Sequence, residues 1–270
     1  MTDRLPRVVG SVVLVTLCWT CGGSPTASTP PPDPTSARVL FRDDFDGSSL
    51  NANSWLMPEG AGTFLGRTQL RPPSEALQVG NGALRLRLDT YNPTALTPGD
   101  SFWGSEIVTR QTFPRGSGLA VTARMRVPTS MPGGLVAALF TYALRGGATR
   151  DEIDFELLTN APSAVLTNVF NAQGFSVAGR PLSVAGVMAG QFNEFEMHWL
   201  PDRLRWIVNG QLAREVLDGV PDTPMTIRLN IWAPATDFAD AFNATLRPAS
   251  TSSANQTFNC EVDYVEIRAL

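Results

Sequence analysis

Residues 150 to 160 read RDEIDFELLTN, and within them Glu152, Asp154 and Glu156 alternate with Ile153, Phe155 and Leu157. In a β-strand residues i, i+2 and i+4 share a face, so the three acids point one way and the three apolar side chains the other. Acids are poor strand formers, and like charges on one face repel. No Lys or Arg interleaves with these three. Chance would give about 0.2 such alternating triplets in a chain of this composition, so the pattern needs support from the rest of the sequence. The plain alternative is a solvated strand face.

The chemistry that uses two carboxyls on one surface is cleavage of a glycosidic bond. In a retaining reaction they stand about 5–5.5 Å apart, one as nucleophile and one as acid and then base. Glu152 and Glu156 have Cα atoms about 13 Å apart along an ideal strand. Two long Glu side chains leaning inward from a curved strand can close that gap, whereas Asp at the ends would be too short. A short Asp suits the middle, where it can hydrogen-bond one Glu and help to hold the two pKa values apart.

The elements that must position these groups are strands. GALRLRLDT alternates Leu84, Leu86 and Leu88 with Arg85 and Arg87, and LAVTARMRVP alternates likewise. NEFEMHWL sets Phe195, Met197 and Trp199 against Glu194, Glu196 and His198. In DRLRWIVNGQLAREV, the pair Asn209-Gly210 favours the tight type I′ turn of a hairpin. CEVDYVEIRAL closes the chain as a last alternating strand. With 23 Gly and 21 Pro punctuating many short runs, and no convincing helical periodicity beyond the N-terminal segment, the pattern predicts a sandwich or jelly roll. The 270 residues, 43% of them hydrophobic, suffice for one large all-β domain.

Composition excludes several classes. Net charge is −4, and the 21 Lys and Arg are scattered, so no nucleic-acid partner is expected. One histidine, His198, rules out a multi-histidine metal site. His198 reads as a strand-face residue, and Cys260 as a small buried hydrophobe. The three cysteines imply no disulfide framework.

Residues 1–20 read as an export signal, with Arg4 and Arg7 before the short apolar run VVGSVVLVTLCWT. Residues 21–37 form a tether rich in Pro, Ser and Thr, and residues 38–270 form a single domain with no second linker and no internal repeat. Cys21, followed by small residues, resembles a lipoprotein start, although Leu17 stands one place too far upstream. Two outcomes stay open: a lipid anchor on the cell envelope through Cys21, or release as a secreted protein. A monomer is expected.

DEIDFE resembles the signature of glycoside hydrolase family 16, the concanavalin A-like jelly rolls of two antiparallel sheets that act on β-glucans and related polysaccharides. The likeness extends over nearly all of residues 38–270. FRDDFDGSSLNANSW, SEIVTRQTF, GGLVAALFTYALRGGATRDEIDFELL, LTNVFNAQG, FNEFEMHWLPDRLRWIVNGQLAR, MTIRLNIWAP and VDYVEI resemble successive family segments in the family's order. The regular Glu-x-Asp-x-Glu form resembles the lichenase and xyloglucan transglycosylase side of the family.

The resemblance implies roles. Glu152 would be the nucleophile, Glu156 the acid and then base, and Asp154 the assisting carboxyl, with no cofactor for catalysis. Phe140, Tyr142, Asn168, Phe170, Asn230 and Trp232 match cleft-lining positions, and Glu106 a carboxylate that binds a sugar hydroxyl; core packing is the alternative for the aromatics. A structural calcium ion is implied at Asp263 and Gly82, with Asp44 as a weaker third; an Asp capping a strand end is the alternative. Arg150, Val108, Leu166 and Thr122 depart from the family pattern at binding positions. The leading expectation is a retaining endo-β-glucanase acting on β-1,3-1,4-glucan or a related β-glucan. The alternatives are a transglycosylase or hydrolase of xyloglucan or another wall polymer, and a non-catalytic, lectin-like carbohydrate-binding domain.

Overall fold

Alternation of apolar and polar residues becomes strand after strand in the computed structural model, which describes residues 38–270 apart from 59–63, 147–148, 175, 178 and 180. The chain divides after Ser36, and the unit Ala37–Leu270 holds all the described residues. The signal and tether segments, with Cys21, lie outside them. The strands begin with β1 (Val39–Asp43), β2 (Trp55–Leu56), β3 (Phe64–Leu65), β4 (Thr68–Leu70), β5 (Gln78–Val79) and β6 (Leu84–Asp89). There follow β7 (Phe102–Thr109), β8 (Leu119–Arg126), β9 (Val136–Leu144), β10 (Arg150–Leu158), β11 (Ala164–Phe170) and β12 (Ser176–Val177). The chain ends through β13 (Leu182–Ser183), β14 (Asn193–Trp199), β15 (Leu204–Val208), β16 (Gln211–Val216), β17 (Thr226–Trp232) and β18 (Thr257–Ala269). Among the described residues the one helical element is a single 3-10 turn, Ser252–Ala254.

The strands build an all-β jelly roll of two layers. One layer runs β2–β7–β17–β9–β10–β11. The other runs β16–β15–β14–β8–β18, with β1 and β6 sharing the far edge of β18. The layers join where Asp89 pairs with Trp103, making one curled sheet. Strand pairing is antiparallel except for the short parallel β4–β7 contact.

Register is set by what each strand buries. Leu84, Leu86 and Leu88 of β6 and Phe195, Met197 and Trp199 of β14 all turn inward. Asn209 and Gly210 adopt φ of 48° and 77°, the left-handed pair a tight hairpin needs, and join β15 to β16. Beneath the acids, Ile153 and Phe155 are fully buried and Leu157 nearly so. The Phe155 ring meets Phe195 of the opposite layer edge-on at 5.5 Å between centroids. Trp206 donates its indole N–H to the carbonyl of Asp154 at 2.8 Å. A slip of one residue would turn the acids of β10 into this core and expose its apolar side chains. At about 1.5–3 kcal/mol per buried large apolar side chain, that slip is strongly disfavoured. The core thus fixes which way the carboxylates point.

Cys260 is buried, and burial pushes its thiol up to about 12. His198 pairs with Glu196 on the β14 face opposite the core-facing Met197 and Trp199.

Candidate active site

The cleft of about 410 Å³ lies on the outward face of the β7–β17–β9–β10 layer. Glu152, Asp154 and Glu156 line it together from the middle of β10. On β9, Tyr142 stands opposite Glu152 and Phe140 opposite Asp154. On β11, Phe170 stands opposite Glu152 and Asn168 opposite Asp154. The alternation of each strand delivers one column of side chains to the cleft.

The three carboxyls sit in different electrostatic surroundings. Burial pushes the Glu156 carboxyl up to about 7, the Glu152 charge adds to this, and a hydrogen bond from Asn168 opposes it. Asn168 Nδ2 donates to Glu156 Oε2 at 2.8 Å. Its own Oδ1 accepts the Gly179 N–H at 2.7 Å, which fixes the amide so that its NH₂ faces Glu156. Asp154 is driven well above the usual carboxyl range by burial and by the charges of Glu152 and Glu156. Its Oδ1 is buried with no hydrogen-bond partner among the described residues. Glu152 is also raised by burial, but the Arg150 guanidinium, ion-paired to it, pulls the other way. One carboxyl pushed to about 7 and one raised by burial but opposed by a contacting cation give the two glutamates the unlike surroundings that acid and nucleophile chemistry uses.

Around the triplet the predicted binding residues separate. Glu106, Phe140, Tyr142, Asn230 and Trp232 line the cleft. Glu106 accepts from Arg228 Nη1 at 2.9 Å through Oε1 and from Asn230 Nδ2 at 3.1 Å through Oε2. Both its oxygens are therefore engaged by protein donors. Two of the expected stacking rings carry guanidinium groups: Arg228 lies 4.4 Å over Tyr142, and Arg150 4.1 Å over Phe170. Trp232 closes one end of the cleft and packs with Phe238, Leu166 and Val136 in a small second apolar cluster.

Arg228, Pro58, Leu65 and Leu70 line the cleft without having been singled out from the sequence. A signal for Arg228 existed, since Arg228, Asn230 and Trp232 alternate on one face of MTIRLNIW. Pro58, Leu65 and Leu70 come from the irregular segment around β3 and β4, where periodicity says nothing. That segment is brought in by Gly66 at φ +58°, where a Cβ would stand 2.7 Å from the Ala233 carbonyl oxygen.

The side chains named for calcium are engaged elsewhere. Asp263 pairs with Arg124, and Asp44 with Arg42. Gly82 adopts φ +69° in the turn before β6, and its side-chain position faces Asp46. Among the described residues no group of three or more His, Cys, Asp or Glu side chains converges to hold a metal. The Asp263–Arg124 and Asp44–Arg42 ion pairs are both partly exposed to solvent.

The comparisons give this fold its family. The sequence pattern of the family described as Glycosyl hydrolases family 16 matches residues 71–264, and the chain belongs to that family. It is 30% identical over 200 residues to the endo-1,3-1,4-beta-glycanase ExoK of Rhizobium meliloti (strain 1021), covering 71% of this chain and 68% of that protein. It is 26% identical over 195 residues to the beta-glucanase of Bacillus subtilis (strain 168), covering 71% and 74%. A beta-1,3-1,4-glucanase (lichenase) from a mouse hindgut metagenome superposes with a TM-score of 0.69 at 21% identity, covering 85% of this chain and 99% of that one.

Proposed function

We propose that the protein is a retaining, endo-acting β-glucanase that hydrolyses β-1,3-1,4-glucan or a closely related soluble β-glucan. The observation that carries this reading is the asymmetry of the two glutamates: Glu156 pushed to about 7, and Glu152 paired with Arg150 on the same strand face. Glu156 donates its proton to the glycosidic oxygen while Glu152 attacks the anomeric carbon. Glu156, now a base, takes a proton from the water that releases the sugar from Glu152. Asp154 stands between them, and burial with the two neighbouring glutamate charges drives its carboxyl well above the usual range, which disfavours a third charge there. No step passes through a metal or cofactor. The β-glucanase names of the relatives support the choice of substrate.

The N-terminal segment adds to the proposal that the protein is exported, either lipid-anchored through Cys21 or released, and that it works as a monomer on its polysaccharide. The test is product release by residues 38–270 on barley β-glucan, lichenan, laminarin and xyloglucan, beside Glu152→Gln. Cleavage of mixed-linkage glucan by the wild type alone is the expected result. Silence on every polymer with binding retained would point to a lectin-like role, and longer chains among the products to a transglycosylase. With Glu156→Ala, added azide should give a β-configured glycosyl azide; an α-configured product would exchange the two roles.

A further inference from the structure

The pairing of Arg150 with Glu152, which supports the reaction outlined above, also involves a third residue. It stands two residues before Glu152 on the same face of β10, and its Nε donates to Glu152 Oε2. Its guanidinium lies flat on Phe170, 4.1 Å from the ring centroid. Phe170 is the residue that register places directly across from Glu152. A free arginine side chain samples many rotamers, and a stacked ring beneath it removes much of that freedom in advance. Arginine, ring and carboxylate therefore close a triangle whose corners are all set by the β10–β11 pairing.

Resting on the assignment of Glu152 as nucleophile, we infer that Arg150 is a positioning residue of the reaction: seated on Phe170, its guanidinium clamps the Glu152 carboxylate in one orientation and balances its charge. The groups facing Glu152 are few. From its own strand come Arg150, Asp154 and Glu156, from β9 Tyr142, from β11 Phe170, and from β17 Arg228. Of the two cations Arg150 makes the contact, while Arg228 is bound to Glu106.

The clamp acts differently on the two half-reactions. In the first, a bond forms from Glu152 oxygen to the anomeric carbon, the bond to the glycosidic oxygen breaks, and that oxygen takes the Glu156 proton. Glu152 becomes a neutral ester and the ion pair with Arg150 is lost. In the second, water adds to the anomeric carbon, its proton passes to Glu156, and Glu152 departs with the bonding electron pair. Arg150 then regains its anion, so it favours release of the sugar from the enzyme. It also keeps Glu152 ionised, and hence reactive, at lower pH.

The experiment pairs two readouts on Arg150→Gln and Arg150→Lys. One is the pH profile of kcat/KM on mixed-linkage glucan. The other is direct titration of Glu152 by ¹³C NMR of Glu-δ-labelled protein, assigned with Glu152→Gln. Loss of an opposite charge in contact shifts a carboxyl by about 1 pH unit or more. In Arg150→Gln both the acid limb and the Glu152 titration should move up by about that much, a tenfold loss of kcat/KM at the acid end. Arg150→Lys should recover most of the shift. A Glu152 titration that stays put in folded Arg150→Gln overturns the clamp. A titration that moves while the acid limb does not would instead remove Glu152 from the nucleophile role. Should Arg150→Gln not fold, Phe170→Leu tests the same seat, with a smaller upward shift expected and an unmoved Glu152 again decisive against it.

Discussion

The acids of two strands, β10 and β18, are used in opposite ways. On β10, Glu152, Asp154 and Glu156 face a cleft, and among the described residues the ion pair they hold is that of Glu152 with Arg150. On β18, Glu261 faces Arg126 and Arg85, Asp263 faces Arg124, and Glu266 faces Arg42 and Arg268. The acids of β18 all hold guanidinium partners, while on β10 Asp154 and Glu156 are buried and have no ion pair among the described residues. Burial without neutralisation raises a carboxyl pKa toward neutrality, and this separates a site from a surface.

The largest test of that contrast is to remove one acid from each strand. Glu152→Gln should lower kcat on glucan by on the order of 10⁴-fold, the scale on which a nucleophile is lost. Asp263→Asn should leave kcat unchanged. Comparable losses from both would erase the distinction.

Glu156 sharpens the comparison through pH. Activity that needs it protonated should fall as pH rises through about 7. Asn168→Ala removes the hydrogen bond that favours the ionised form, so the alkaline limb should move up, not down, while kcat falls with the lost orientation. A downward shift would mean that Asn168 does not donate to the carboxylate.

Stability follows the same group. The fold holds the Glu156 proton up to about 7, against an ordinary value of 4.5, so it binds more protons than the unfolded chain between those values. Its stabilising contribution is complete below 4.5 and is lost as pH rises through about 7. Glu156→Gln does not titrate there, and should gain on the wild type by on the order of 1–3 kcal/mol between pH 5 and pH 8 in urea unfolding. A constant difference across that range would show that Glu156 titrates normally.

The smallest effects belong to β18. The Arg124–Asp263 pair is partly exposed, and breaking it with Asp263→Asn should cost about 0–1 kcal/mol. A chelator should leave Tm unchanged within about 1 °C, because the carboxylates there already hold guanidinium groups; a larger fall would reveal a bound calcium ion.

Much of this was legible in the chain order. Alternation in β6, β10 and β14 marked the buried faces, and Asn209-Gly210 marked its hairpin, because strand geometry and turn sterics act between near neighbours. The spacing of Glu152, Asp154 and Glu156 likewise placed three acids on one face. The covering of Tyr142 and Phe170 was not legible in the same way. Tyr142 reads as a platform for a sugar until Arg228, far along the chain, is laid beside it by the β9–β17 register. The partner of Asp263 was hidden in the same way, since Arg124 reaches it only through the β8–β18 pairing.

By itself, then, the sequence determined which faces are apolar, where the hairpin turns, and that three carboxyls share one side of a strand. Only the tertiary structure decided which carboxyls meet a guanidinium and which do not. Side-chain periodicity, like the Arg150–Glu152 spacing, is a property of near neighbours in the chain, whereas Arg228 and Arg124 reach Glu106 and Asp263 from strands that the sheet sets alongside.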